Sequence, residues 1–517
     1  MARSNVLVIL VGKRRRRPFP SLRTLRKGLI VSRIPGPARP SARGPQRTLP
    51  TPPSPDRRRW AALAVLLLGA FMGFLDIFIV NVAAPAIQTE WHAPFADVQL
   101  VPAGYTLAYA AGLVTGGRLG DAFGRRRVFL YGVGAFAVTS AGCALATTPA
   151  FLIGARLLQG LAAAAMLPQV LALIQVTFPQ DRARARALGL YGAVIGAGVL
   201  AGQILGGMLI AWDIAGLGWR TVFLVNVPLC AVTFVGAVLL VGEDRAAVAG
   251  RLDLGGASLL GLGLFGMVHA LVTGPERGWT AVPSCELATG TALLGLFLVW
   301  ERRVERAGRT PLLPPRLLAQ RGFSRGLPTV VCFYGANGAF VFLLAFHLQH
   351  ALGFSPLGSA LEFVPLAVLT SVGSALCGRM VARLGRWTVP AAAVLTAVGL
   401  LAVGAAVETA APGGQAVALL PGLVLYGFGG GIVATSLIGL ALDGVAAADA
   451  GAASGGILTA VQAAEAAGVA GVGALFARLA ATGGAVRGFS ASVLVLAGLS
   501  ALTAVLLYFL PARRPAP

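Results

Sequence analysis

Gly117-Arg118-Leu119-Gly120-Asp121-Ala122-Phe123-Gly124-Arg125 returns 261 residues later as Gly378-Arg379-Met380-Val381-Ala382-Arg383-Leu384-Gly385-Arg386. Each copy follows the second apolar stretch of a set of six. Two sets that repeat in one orientation imply two parallel bundles related by an axis along the membrane normal. The second copy has Ala382 where the first has Asp121, so a contact made by that acid belongs to one bundle alone.

Outward from this repeat the chain reads as membrane-spanning throughout. Of its 517 residues 56% are hydrophobic and only 12% charged. That is about half the ~25% charge of a soluble domain, which excludes a soluble enzyme. A span needs about 20 apolar residues. Such stretches run at 60–84, 98–117, 128–147, 150–177, 187–211, 221–241, 254–273, 284–300, 328–349, 359–378, 388–407, 416–441, 454–477 and 489–510. The expectation is therefore an all-α integral membrane protein with fourteen spans, two of them inserted centrally. Residues 60–241 form one six-helix bundle and 328–510 the other. Residues 242–327 hold spans 7 and 8 with flanking cytoplasmic loops, and 511–517 are a cytoplasmic tail.

Arginine sets the orientation. With the N-terminus in the cytoplasm, 21 arginines from Arg118 to Arg514 fall on inside segments, against Arg220, Arg277, Arg478 and Arg487 outside. The bias is the positive-inside pattern and places both termini in the cytoplasm. Residues 1–59 carry 16 basic side chains against one acid, Asp56, with a proline-rich stretch from Pro35 to Pro55. This composition buries no core and is expected to stay disordered. Two readings stay open: an arm that holds anionic lipid headgroups, and an upstream extension from a start assigned too early. Nucleic acid is not an expected partner. The five cysteines are isolated and make no metal spacing, so no metal is expected.

Several strings then carry a family resemblance over about residues 60–510. Leu75-Asp76-Ile77-Phe78-Ile79-Val80-Asn81 through Pro85 resembles the first-helix signature of the fourteen-span drug:proton antiporter branch of the major facilitator superfamily. Gly117 to Arg126 resembles the superfamily's cytoplasmic loop motif, and Arg156-Leu157-Leu158-Gln159-Gly160 its proton-linked arginine motif. Gly192, Gly196, Gly202, Gly206 and Gly207 resemble its span-5 antiporter motif, with Gln203 in place of the usual proline. Trp219-Arg220 and Asn226-Val227-Pro228 match a familiar entry to span 6. The resemblance implies gating by Gly117, Asp121, Gly124, Arg125 and Arg126 in the loop. It implies a sliding helix face at Gly202, Gln203, Gly206 and Gly207. Asp121 is expected to hold the two halves closed on the cytoplasmic side.

Ionisable groups within a membrane are costly and functional by default. Asp76 lies 16 residues into span 1 and Arg156 six residues into span 4 from the other side. At 1.5 Å per residue both sit at about the same depth in a core about 30 Å thick. They are expected to form one proton-sensitive unit, with Gln159 beside them. The 261-residue offset maps Glu465 to Ile204, which places Glu465, with Gln462 a turn earlier, at the interface between halves as a cargo contact. The same offset maps Asp76 to the neutral Asn337. No nucleotide-binding loop and no nucleophile–base cluster is present, so no cofactor is expected and a proton gradient supplies the energy. The expected function is proton-coupled efflux of drugs, antibiotics or cationic toxic compounds across the cell membrane, with drug-like molecules, protons and lipids as partners. A dedicated exporter of an endogenous metabolite, peptide or lipid is the alternative on the same fold. A non-transporting sensor or assembly partner is the alternative of another class.

Overall fold

A computed structural model describes residues 55–178, 181–243, 253–409, 414–443, 445 and 450–509. The arm 1–59 expected to be disordered is helical over its last five residues, where α1 begins at Pro55; residues 1–54, the loop arginines Arg245 and Arg251, and the tail with Arg513 and Arg514 lie outside the described residues. The fold is all-helical. The first half contains α1 (Pro55–Trp91), α2 (Phe95–Phe123), α3 (Arg125–Ala144), α4 (Pro149–Thr177), α5 (Asp181–Trp212), the single turn α6 (Thr221–Leu224) and α7 (Asn226–Leu240). A helical pair, α8 (Leu254–Glu276) and α9 (Ala281–Arg306), follows. After the short α10 (Pro315–Leu318) come α11 (Arg321–His350), α12 (Pro356–Leu384), α13 (Thr388–Thr409), α14 (Gln415–Ala441) and α15 (Ala450–Tyr508). α15 is broken at Gly484, whose φ of 82° no helix contains.

The internal repeat holds to the residue in its central element. α2 and α12 are both 29 residues long and are displaced by 261 at each end. Each ends at a glycine with positive φ, Gly124 at 93° and Gly385 at 64°. This is the turn that the repeated Gly-Arg motif encodes. Packing repeats with the sequence: α1 lies on α5 as α11 lies on α15, and α2 on α4 as α12 on α14. Local signals start these helices. Thr148 accepts from the Phe151 amide ahead of Pro149, and Ser355 accepts from the Gly358 amide ahead of Pro356.

By length and apolarity, eleven stretches among the described residues can cross a membrane, against the fourteen expected. Two of the eleven, Pro356–Thr409 and Ala452–Tyr508, join elements that the sequence reading separates at the Gly-Arg turn and near Gly484. α2 is not among them, because Pro102, Tyr105, Thr106, Tyr109, Thr115 and several glycines thin the apolar centre of an otherwise uncharged stretch, 100–117.

The halves meet through α2 against α15 and α5 against α12, again a pair related by the repeat. At the arginine-poor end an aromatic plug seals them. The Phe95 ring lies 4.7 Å from that of Phe346, 5.5 Å from Phe476 and 6.0 Å from Phe342. Gln349 of α11 donates to the Val82 carbonyl of α1 at 3.2 Å. At the arginine-rich end, Gly189, Gly192 and Gly196 of α5 and Gly378 of α12 have open space beside them.

Candidate functional site

Four helices of the first half bring polar side chains to one dry point. Asp76 on α1 accepts from Arg156 on α4 through Oδ2, and from Gln159 Nε2 at 3.1 Å and Asn226 Nδ2 at 2.7 Å through Oδ1. Ser140 on α3 accepts from Gln159 at 3.2 Å and Asn226 at 3.1 Å, and donates to the Phe223 carbonyl at 2.9 Å. Arg156 also donates to Gln159 Oε1 at 2.8 Å and to the Val101 carbonyl of α2 at 3.3 Å. Its guanidinium stacks 4.3 Å from the Tyr105 ring centroid. Asp76, Ser140, Arg156, Gln159 and Asn226 are all fully buried. A buried ion pair is sustained when its remaining hydrogen-bonding groups are satisfied as well. Here one polar group is left over at each edge, Arg156 NH2 and Asn226 Oδ1.

Asp76 and Arg156, which the sequence places at equal depth, are in contact, and Gln159 of the same arginine motif joins them. Ser140 and Asn226 were not singled out as site residues. Their signal is that each is a polar residue within an apolar run, and Asn226 belongs to the span-6 string.

Glu465 stands apart from this network. It faces a cavity of about 30 Å³ between the halves, lined by Ile77, Phe78 and Asn81 of α1, Pro102 and Thr106 of α2, and Gly338 of α11. No hydrogen bond or ion pair reaches its carboxylate among the described residues. The volume suits one water rather than a drug-sized molecule. Gln462, a turn away, is buried with its Oε1 unpartnered. Asn337, the repeat counterpart of Asp76, accepts from the Tyr426 hydroxyl at 3.0 Å. The two sites are separate but share walls. Asp76 and Ile77 are neighbours on α1, and Val101 and Pro102 on α2, each pair with one member at each site.

The loop residues expected to gate divide. Asp121 pairs with Arg125 at 3.0 Å across the Gly124 turn, and the acid is 54% exposed. The lock between halves expected of Asp121 is not made in this arrangement. An exposed pair four residues apart is worth about 0–1 kcal/mol. Arg126 ties α3 to the end of α7 through the Val238 carbonyl at 2.7 Å and Glu243 at 3.3 Å. Gly117 lies against Pro168 of α4. The loop residue that reaches farthest is Arg118, which donates to the carbonyls of Thr310 and Pro311.

The span-5 glycines divide too. A Cβ at Gly202 would stand 2.7 Å from the Leu75 carbonyl oxygen, and one at Gly206 3.0 Å from Ile79 Cγ1, so both pack on α1. Only Gly207 meets the other half, where a Cβ would stand 2.7 Å from the Pro356 carbonyl oxygen and 2.9 Å from Ala360 Cβ. Gln203 is buried with both polar atoms unpartnered, and α5 continues past it. Gly207→Ala is expected to cost about 1–3 kcal/mol by overpacking. Because backbone rather than side chain must yield, it should also hold the plugged end apart. Increased reactivity of a cysteine placed at Ala360 would register the opening.

Comparison with known proteins places the fold and its relatives. The sequence profile of the Major Facilitator Superfamily matches residues 66–469. The chain is 40% identical to a "Probable actinorhodin transporter" of Streptomyces coelicolor, over 75% of this chain and 67% of that protein. It is 36% identical to a "Tetracenomycin C resistance and export protein" of Streptomyces glaucescens, over 63% of this chain. That alignment spans 60% of the relative, less than two thirds of its length. The fold matches that of the xylose transporter XylE from E. coli with a TM-score of 0.57, covering 88% of this chain and 99% of that one at 15% identity.

Proposed function

The chain belongs to the Major Facilitator Superfamily, and from that premise we propose that it is a proton-driven antiporter exporting drug-like, amphipathic or cationic compounds, antibiotics among them. It is a multi-pass membrane transporter rather than an enzyme. The arginine-rich end faces the cytoplasm on this reading, and cargo enters there when the halves part. The observation that carries the proposal is the fully buried Asp76–Arg156 pair, whose neighbours on α1 and α2 wall the Glu465 cavity.

Protonation of Asp76 removes the charge that compensates Arg156. The guanidinium is then buried without a counter-ion, an arrangement several kcal/mol less favourable. Relief requires α1 to shift relative to α4, and α1 carries Ile77, Phe78 and Asn81 past Glu465. A positive or amphipathic cargo held by the unpaired Glu465 carboxylate is thereby loosened as the proton binds. Alternating access then follows from rocking one half against the other about the α2–α15 and α5–α12 contacts.

The test is purified protein in proteoliposomes with an internal pH dye. A cationic substrate gradient should drive proton movement in the opposite direction. Substrate flux with no proton movement would overturn antiport and leave a uniporter. The names of the relatives favour a second reading, a dedicated exporter of one compound. In that case a panel of cationic and neutral antibiotics yields flux for a single member.

A further inference from the structure

A second pair of carboxyls, outside the network above, lies at the arginine-rich end where the inserted helices meet α2. Asp253 caps α8, accepting from the Gly256 amide and from Trp300 Nε1 through Oδ1, both at 2.9 Å. Glu301 on α9 is fully buried and accepts from the Leu313 amide at 2.8 Å through Oε2. Each carboxyl is left with one oxygen that meets no donor, Asp253 Oδ2 and Glu301 Oε1. Both orphans point to the same spot. A Cβ on Gly256 would stand 2.8 Å from the first and 2.6 Å from the second. With both orphans against one point, a proton on either carboxyl would let it donate to the other, whereas two ionised carboxylates would face each other with no donor between them.

The surroundings fit that proton count. Arg118 of α2 is the charged group whose field reaches both carboxyls. Two carboxyls, one proton and one guanidinium balance to a neutral cluster. Two adjacent ionised carboxylates would instead repel one another in a dry site. The strap at 307–314 is bound from both sides by this cluster: Glu301 takes the Leu313 amide, and Arg118 takes the Thr310 and Pro311 carbonyls.

We infer that Asp253 and Glu301 form a one-proton carboxyl dyad, a second proton site, which clasps the 307–314 strap to the end of α2. With the proton in place the strap is held. As pH rises and the proton leaves, the two charges part, Glu301 withdraws from the Leu313 amide and the strap is released. The inserted helices thereby gain a pH-dependent hold on the loop motif's Arg118. This does not depend on what the protein transports.

Hydrogen exchange of the full-length protein in lipid nanodiscs, read on the peptide spanning the strap, tests it directly. After correction for intrinsic exchange, wild-type protection should fall about tenfold between about pH 5.5 and about pH 8. Glu301→Gln places an amide donor where the shared proton sits and keeps an oxygen for Leu313. Asp253→Asn does the same from the other side. Both variants should stay protected across the range. If Glu301→Gln fails to fold, Asp253→Asn gives the same reading. Wild-type protection that does not change with pH, or a variant that keeps the wild-type slope, would overturn the dyad.

Discussion

Asp76→Asn is expected to abolish proton-coupled export and, against intuition for so conservative a change, to destabilise the protein. The carboxylate serves three donors, from Arg156, Gln159 and Asn226. An asparagine retains one oxygen, enough for Gln159 and Asn226, but turns an amide N–H toward the guanidinium. Arg156, with no exposure to solvent, is then an unpaired buried cation. Removing one member of a buried pair costs about 3–5 kcal/mol. Arg156→Ala should cost a similar amount by leaving Asp76 alone. The double variant Asp76→Asn/Arg156→Met removes both charges and should regain most of the stability, measured by thermal unfolding in detergent. Export should remain absent, because no group at that point can take a proton. Recovery of coupled flux in the double variant would show that the proton is carried elsewhere.

Glu465→Gln carries the second large effect, one of selectivity. The carboxyl has no partner among the described residues and lines the cavity between the halves, so it is free to ionise against a cationic cargo. The amide keeps the shape and loses the charge. Export of monovalent cationic substrates should fall about tenfold or more, equivalent to about 1.4 kcal/mol, while neutral substrates change little. Paired flux measurements with one cation and one neutral compound decide it. An equal loss for both would assign Glu465 to proton handling instead. Stability should change little, since the amide keeps the size and shape of a carboxyl that has no partner to lose.

The sequence alone determined what depends on partition between water and lipid and on order along the chain. Apolar run lengths fixed the all-helical membrane class. The Gly-Arg repeat fixed the two-fold plan, and the offset of 261 reappears in α2 and α12 at both ends. Depth is also one-dimensional, at 1.5 Å per residue along a helix, and so Asp76 and Arg156 were legible as a pair. Rotation about the helix axis is not. Each residue turns the side chain by about 100°, and an apolar helix in lipid has little polarity contrast to say which face is inward. Tertiary packing alone therefore decided that Ser140 and Asn226 join the buried network. It turned Gly202 and Gly206 toward α1 and only Gly207 toward the other half. It paired Asp121 with Arg125 across a turn rather than across the cleft. It also set Asp253 against Glu301, 48 positions apart in sequence, where neither residue's neighbours along the chain announce the other.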